Sequence, residues 1–279
     1  MFSRDLLGLL PFVGFVTFFL LLPASTLVVG AFQTDEGQFT LEHFAALSQR
    51  FILEGYRNSI QVSVVTALVG GGFGFLLAYA ITLGGLPSFV RGGVITFAGV
   101  ASNFAGVPLA FAFISTLGRT GIITGVFKDL GLDLYRQGFD LYTFAGLSLT
   151  YLYFQFPLMI LIMAPALDGL KREWREASEN LGANVGQYWR HVALPILLPS
   201  ILGSMVLLFG NAFGAYATAF ALTGGTLDLV TIMIGAQIRG NVLYDPGLGY
   251  AMAVGMVVIM GLSIAVYSWL QRRSERWLR

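Results

Sequence analysis

The sequence predicts an all-α membrane protein with six transmembrane helices. Of its 279 residues, 56% are hydrophobic and 11% are charged, whereas a soluble domain carries about 25% charged residues. Six apolar runs each exceed the ~20 residues that cross the hydrocarbon core of a bilayer as a helix. These runs cover residues 6–32, 60–83, 92–117, 141–167, 194–222 and 248–270. The bilayer is therefore the expected solvent of most of the chain.

The first run, 6–32, has two alternative interpretations. Small residues at Ala24 and Ser25 would suit cleavage of a secretory signal, but the apolar part of such signals spans only about 7–15 residues. A retained membrane helix is the better interpretation. The polar stretch that follows contains a short amphipathic helix entered through Thr40. We therefore expect residues 1–56 to form an N-terminal membrane helix and an extracytoplasmic segment, and residues 57–279 to form the core.

The second apolar run contains a cluster of glycines, and the third contains an asparagine and a proline. A glycine-rich stretch at 70–74 offers a small-residue face for close packing of another helix. A phosphate-binding loop is excluded, because the lysine and Ser/Thr of that motif are absent. We expect 92–117 to be one helix, with Asn103 and Pro108 near its middle.

The basic residues predict the orientation. Six spans place both termini on one side, and Lys and Arg are enriched in cytoplasmic segments. Ten basic residues fall on the terminal side, and six fall on the other. The ten are Arg4, Arg91, Lys171, Arg172, Arg175, Arg190, Arg272, Arg273, Arg276 and Arg279; the six are Arg50, Arg57, Arg119, Lys128, Arg136 and Arg239. Both termini and the segment at about 168–193 are therefore expected in the cytoplasm of a bacterial inner membrane.

All charged residues lie outside the six apolar runs. A proton-coupled carrier needs an ionisable group within the membrane, and intramembrane hydrolysis needs a base or an acid pair there. Neither class of site is present, the chain has no cysteine, and a net charge of +1 gives no reason to expect nucleic acid. We expect no catalytic residue, no cofactor and no metal site in this chain, so transport would need an external energy source.

The polar segment at 168–193 carries the most specific motif. Glu176-Ala177-Ser178 is followed after three residues by Gly182, and after nine more by Val192-Ala193-Leu194-Pro195. This spacing resembles the Glu-Ala-Ala loop of the membrane subunits of binding-protein-dependent ABC importers. Ser178 stands where the second alanine is usual, and Val192 stands for isoleucine.

The resemblance implies a type I ABC importer permease fold, in which this loop, the coupling loop, binds a cytoplasmic ATPase dimer. The implied partners are that dimer, which would bind ATP and Mg²⁺, a second permease, identical or homologous, an extracytoplasmic solute-binding protein and the lipid bilayer. The implied coupling residues are Glu176, Ala177, Ser178, Gly182, Val192, Leu194 and Pro195.

Physical chemistry supports a helix-glycine-helix shape for the coupling loop. Acidic residues at 173, 176 and 179 suit the start of a short helix, and Gly182 can end it with a positive φ. Pro195 suits the first turn of the fifth membrane helix, because its missing N–H would be unsatisfied there anyway.

The translocation path is less strongly patterned. Phe209, Phe213, Tyr216 and Phe220 recur on one helical face, for which a packed aromatic stripe is the simpler interpretation. Polar groups within the spans could either touch solute or bond neighbouring helices. The path candidates are Asn103, Tyr151, Gln155, Asn211, Phe213 and Tyr216. The segment at 222–225 resembles the polyamine, iron, thiamine or phosphonate branches, with polyamine the first prediction. A secondary carrier and a membrane scaffold without transport are the alternatives.

Overall fold

The computed structural model of the chain describes residues 4–34, 36–239 and 244–275. These residues are almost entirely helical, and the only β interaction among them is an isolated bridge between Gln33 and Phe39. The predicted all-α class is confirmed. In chain order the helices are α1 Arg4–Val16, α2 Leu22–Ala31, α3 Glu42–Ala46, α4 Arg50–Leu83, α5 Ser88–Asn103, α6 Gly106–Leu117, α7 Ile122–Asp129, α8 Phe144–Asp168, α9 Arg172–Asn180, α10 Val185–Tyr188, α11 Leu194–Phe213, α12 Ala217–Thr223, α13 Val230–Arg239 and α14 Pro246–Glu275.

Six helical stretches in the described ranges are long and apolar enough to cross a membrane, as the sequence predicts. They are Gly8–Ala31, Arg50–Leu83, Gly106–Asp129, Phe144–Asp168, Val185–Phe213 and Pro246–Arg273. The number of spans is therefore confirmed, whereas the bounds of the second, third and fifth predicted helices were wrong.

Two of these stretches contain a π-helical turn, and each turn lies just before a proline. Thr17–Leu21 precedes Pro23, and Trp189–Ala193 precedes Pro195. A proline has no N–H to donate, and its ring crowds the preceding turn. The π turn shifts the hydrogen-bond register by one residue, since the Leu194 N–H donates to the Trp189 carbonyl. The helix therefore continues through the proline in both places.

The second span begins ten residues earlier than predicted. Helix α4 is continuous from Arg50 to Leu83, and it runs through residues 56 and 57 without a break. Polar residues at its start had indicated a loop. They leave a buried face intact, because Ile52 and Ser59 point into the protein while Arg50 pairs with Glu54 on the exposed side.

The third predicted helix, 92–117, is two helices. Helix α5 ends at Asn103, and α6 begins at Gly106, which has a φ of +74°. Together the two helices run the length of α8: Arg91 pairs with Asp168 at one end, and Arg119 pairs with Asp140 at 3.2 Å at the other. We call these the Asp168 end and the Asp140 end of the protein.

The fifth predicted helix, 194–222, agrees with α11 at Leu194, but it missed the helical turns before Leu194 and placed the end too late. Helix begins at Val185, runs through the π turn into α11 and stops at Phe213. After Gly214 the chain starts again as α12, from Ala217 to Thr223. The aromatic residues at 209, 213, 216 and 220 therefore do not share one continuous helix: Phe209 stacks on Phe213, and Tyr216 stacks separately on Phe220.

Helices α4, α8 and α11 form the centre of the bundle. The predicted packing role of the glycine-rich stretch is confirmed, because a Cβ on Gly70 would lie 2.6 Å from the Cβ of Gln155. A Cβ on Gly74 would lie equally close to the Cβ of Met159. Only a residue without a side chain permits this contact.

Short helices flank the Asp140 end. Thr40 accepts a hydrogen bond from the Glu42 N–H at the start of α3, although Leu41 is the residue that precedes the helix. Helix α13 lies between the fifth and sixth apolar runs. The Val230 N–H at its start donates to the Ser59 hydroxyl of α4, so this segment is attached to the second span.

Candidate functional site

The coupling loop contains the predicted helix and glycine. Helix α9 carries two ion pairs on its surface, Arg172 with Glu176 at 2.8 Å and Arg175 with Glu179 at 2.9 Å. The hydrogen bond from Arg175 to Glu179 raises the pKa of the arginine. Gly182 has a φ of +81°, and its N–H and the next one bond back to the last turn of α9. The expected glycine termination is confirmed.

The second half of the loop differs from the prediction. Asn184 caps α10 by accepting from the Gln187 N–H, while the Gln187 side chain accepts from the Asn184 N–H. This capping box could have been found in the sequence as Asn followed three residues later by Gln. Pro195 lies in the first turn of α11, as predicted, but the preceding π turn joins α10 to α11, so the helical stretch begins at Val185.

The seven predicted coupling residues fall into three groups. Ser178, Gly182 and Val192 line a cavity of about 380 Å³ between α9 and α10. Glu176 and Ala177 lie on the exposed side of α9. Leu194 and Pro195 line an adjoining groove toward α14, and Val192 lines both the cavity and the groove. The structure thus places five of the seven residues along two neighbouring depressions and leaves Glu176 and Ala177 on the exposed side of α9.

The tip of the coupling loop also exposes two apolar side chains that the sequence reasoning missed. Leu181 is 88% exposed and Val185 is 61% exposed, on either side of Gly182. The sequence signal for this exposed tip was a large apolar residue, Leu181, next to the glycine that was predicted to end the helix. At the other side of the loop, Trp189 packs edge-on against Tyr79 of α4 with ring centroids 5.3 Å apart. The loop is therefore anchored on the bundle while its tip is free in this chain.

The two helix interruptions meet at one cavity of about 500 Å³. Its lining combines the α5–α6 break with the α11–α12 break, and it includes two of the path candidates, Asn211 and Tyr216. The Gly106 N–H at the start of α6 donates to the Thr218 hydroxyl of α12 at 2.8 Å. The lining also includes Ser102, Gly106, Phe154 and Gly214, which the sequence reasoning did not single out.

The other four path candidates lie outside this lining. Tyr151 and Gln155 are buried, with the Tyr151 hydroxyl donating to the Ala215 carbonyl at 2.8 Å. Phe213 packs in a cluster with Ile52 and Met252. The exposed Asn103 side chain bonds to the Gly99 carbonyl of its own helix.

Gln155 links three helices. Its amide nitrogen donates to the Leu208 carbonyl at 3.0 Å and to the Thr66 hydroxyl at 3.4 Å. Its Oε1 is buried, and no described residue donates to it. The side chain therefore bonds α8 to α4 and α11 in this conformation.

One cation lies beside the cavity. The Arg239 guanidinium stacks over the Tyr216 ring at 5.4 Å from its centre, so it approaches a residue of the lining from α13. Neither an aspartate nor a glutamate belongs to that lining in the described part of the chain.

Residues 62–279 match the family model described as "Binding-protein-dependent transport system inner membrane component". The chain belongs to this family. The Escherichia coli sulfate transport system permease protein CysT is 26% identical to this permease over 81% of this chain and 78% of its own length. The Haemophilus influenzae spermidine/putrescine permease protein PotB is 25% identical over 91% and 89%.

The ferric permease protein FbpB of Actinobacillus pleuropneumoniae is 26% identical over 96% of this permease, which covers 38% of that longer protein. Among solved structures, a bacterial ABC transporter that imports alginate matches with a TM-score of 0.74, at 18% identity over 97% of this chain and 96% of that one. The permease is thus an ABC importer subunit of the binding-protein-dependent type, as the coupling-loop motif predicted.

Proposed function

We propose that this permease moves a small solute through the cavity at the two helix interruptions, driven by an ATPase that binds the coupling loop. The observation that carries the proposal is one continuous helix, Val185–Phe213. It starts in the coupling loop and ends at the cavity, which Asn211 and Gly214 line. At 1.5 Å per residue its 29 residues span about 42 Å. A displacement of the loop would therefore move one wall of the cavity.

In this proposal the Asp168 end and both termini face the cytoplasm, which the basic-residue bias supports. A second permease, identical or homologous, completes the path. An ATPase dimer binds ATP and Mg²⁺, and an extracytoplasmic protein delivers the solute at the Asp140 end. Another solved structure with the same fold is a bacterial alginate ABC transporter in complex with an alginate pentasaccharide-bound periplasmic protein. This similarity of fold supports the extracytoplasmic solute-binding partner.

The exposed tip of the coupling loop supports the ATPase contact. Leu181 and Val185 would enter an apolar groove of the ATPase, and Glu176 would pair with a cation at its edge. Small side chains at Ala177 and Ser178 allow a close approach. In the free chain Glu176 pairs with Arg172 on the surface, and an exposed pair of this kind contributes only about 0.3–0.5 kcal/mol. Glu176 can therefore exchange partners at little cost.

Glu176→Lys tests the coupling part of the proposal. Solute-stimulated ATPase activity of the reconstituted transporter should fall to its basal rate, while insertion of the permease stays normal. Glu179→Lys is the matched control, because it removes the equivalent ion pair one turn later. Normal coupling in the Glu176 variant, or equal loss in both variants, would remove Glu176 from this role.

We further propose that the solute is an anion. Arg239 lies over Tyr216 beside the cavity, and a polycation entering there would meet this charge, with no carboxylate in the described lining to balance it. The relatives carry sulfate, iron and polyamine names, so the polyamine prediction is not confirmed. Sulfate, named for several relatives that match most of this chain, is the first solute to test.

Uptake of radiolabelled sulfate and spermidine by cells expressing the complete transporter distinguishes the two classes. Arg239→Gln should raise the KM for sulfate by about tenfold, since it removes the cation that attracts the anion to the cavity. Arg50→Gln is the control, because Arg50 pairs with Glu54 away from the cavity. Uptake of spermidine but not sulfate by the unmodified transporter would overturn the anion proposal and leave the coupling proposal standing.

A further inference from the structure

The α11–α14 groove is an open groove of about 850 Å³ at the Asp168 end. Above it the two helices touch, where Gly203 faces the Tyr267 hydroxyl and Gly210 faces Met260. Below those contacts the helices separate, and the groove opens between them. It is lined by Arg190, His191, Val192, Leu194, Pro195, Ile196, Leu198 and Leu202 from one helix and by Leu270 and Arg273 from the other.

The α11–α14 groove changes in chemistry along its length. Four leucines, at 194, 198, 202 and 270, line its membrane-facing part, and Leu194 is 42% exposed. Two arginines, Arg190 and Arg273, lie at its outer end. Among the residues whose side chains the structure describes, neither arginine forms an ion pair, and the described groove lining has no carboxylate. An apolar slot thus ends at two positive charges.

The surroundings match the boundary between hydrocarbon and water. Trp269, 59% exposed, lies one turn before Arg273, whose guanidinium stacks over its ring at 5.7 Å from the centre. Exposed tryptophans concentrate at the level of lipid headgroups, and arginines near helix ends reach outward to the same level. The two arginines are therefore at the depth of phosphate groups in the leaflet.

We propose that the α11–α14 groove binds an anionic phospholipid, with its phosphate between Arg190 and Arg273 and an acyl chain along the four leucines. A soluble phosphate would satisfy the arginines but leave the apolar slot uncovered. A zwitterionic lipid would bring its own cation to two arginines, and the described groove lining offers that cation no carboxylate. A lipid with net negative charge matches both halves of the groove.

The inference extends beyond solute transport, and it depends only on the chain lying in a membrane. One wall of the groove is the first part of the Val185–Phe213 helix, so the bound lipid would join the base of that helix to α14. Anionic lipid should therefore stabilise the position of the coupling loop relative to the bundle.

The test is lipid binding to the complete transporter, purified in mild detergent and measured by native mass spectrometry. Phosphatidylglycerol is titrated against phosphatidylcholine with identical acyl chains. Replacement of both arginines, Arg190→Gln with Arg273→Gln, should weaken phosphatidylglycerol binding by about 30-fold and leave phosphatidylcholine binding unchanged. Arg273→Gln is also measured alone, with Arg272→Gln as its matched control, because each removes one positive charge and Arg272 does not line the groove.

A second variant tests the apolar half and guards against misfolding as an explanation. Leu198→Trp fills the slot without changing charge, and it should also weaken phosphatidylglycerol binding while the melting temperature stays near that of the unmodified protein. Phosphatidylglycerol binding that survives both changes would overturn the proposal. So would full competition by inorganic phosphate, which indicates a simple anion site, or loss of the permease pair in Leu198→Trp with lipid binding intact, which indicates a protein occupant.

Discussion

The fourth and fifth spans contain similar amounts of proline but behave differently. Helix α8 includes Pro157 and Pro165 and is unbroken over 25 residues. The fifth span includes Pro195 and Pro199, continues through both, and then stops at Phe213 with a glycine after it. Proline alone therefore does not decide where the helices of this protein break, although Pro108 lies in the first turn of α6, directly after one of the breaks. The breaks lie at Gly106 and Gly214, where the backbone groups that a break releases find partners on another helix.

Those partners are the physical basis of the difference. Thr218 accepts from the Gly106 N–H, and Tyr151 donates to the Ala215 carbonyl. Within a bilayer an unsatisfied backbone group costs several kcal/mol, so a helix can stop only where protein supplies the missing bonds. The Gly106 N–H at one interruption bonds to the other interrupted span, and the Ala215 carbonyl at the second interruption accepts from α8. Helix α8 itself has no such break. The fourth span serves as the scaffold, and the two interrupted spans form the cavity.

The largest expected effect comes from disturbing the scaffold. Gly70→Val would place a Cβ 2.6 Å from that of Gln155, forcing α4 away from α8. Overpacking of this kind costs typically about 1–3 kcal/mol, and more where two backbones must separate. The melting temperature of the purified permease should fall markedly. Gly72→Val, on the same helix with no atom near its Cβ position, should leave it almost unchanged. Equal melting temperatures for the two variants would contradict the described α4–α8 contact.

An intermediate effect is expected at the interruptions. Thr218→Val removes the hydroxyl that accepts from Gly106, and a buried group left unpaired costs about 1–3 kcal/mol. Transport should decline more than stability, because the change acts at the cavity. Thr223→Val is the control: Thr223 is equally buried, but its hydroxyl bonds only to the Ala219 carbonyl of its own helix. Uptake assays and thermal unfolding of both variants measure the two effects, and matching uptake in the pair would argue against a specific role for the Thr218 bond.

The smallest effect is expected from Gln155→Leu. The change removes two hydrogen bonds but also a buried Oε1 that has no described partner. These contributions oppose each other, so the stability change should remain within about 1 kcal/mol. Transport should persist if Gln155 acts only as a link between helices. Loss of uptake in a normally stable Gln155→Leu protein would return this residue to the translocation path.

The sequence was sufficient for the features that depend on composition and local pattern. The apolar runs predict the six spans, and the positive φ of Gly182 follows from its place after an acidic helix. The apolar pattern alone does not place the interruptions, because the residues around 104–106 and 214–216 are as apolar as their neighbours; the available sequence signals were Gly106, Pro108 and Gly214. What ends the helix there is a set of bonds across the fold, such as that from Tyr151 to Ala215.

The same limit applies to the candidate site. Asn211 and Tyr216 were selected as polar groups in apolar surroundings, and both line the cavity. Gln155 was selected by the same criterion and is buried between helices instead. A polar residue in a span has the same sequence signal whether it lines a cavity or is buried between helices. The sequence alone does not show which face of a helix contacts a neighbouring helix.

The π turn at Trp189–Ala193 contains one residue more than an α-helical turn would need. One residue corresponds to a rotation of about 100° around a helix axis. Deleting one residue there would restore the α-helical hydrogen-bond register. It would also rotate α9, with Leu181, around the axis of the fifth span. The angular alignment between Leu181 and the wall of the cavity thus depends on a single inserted position.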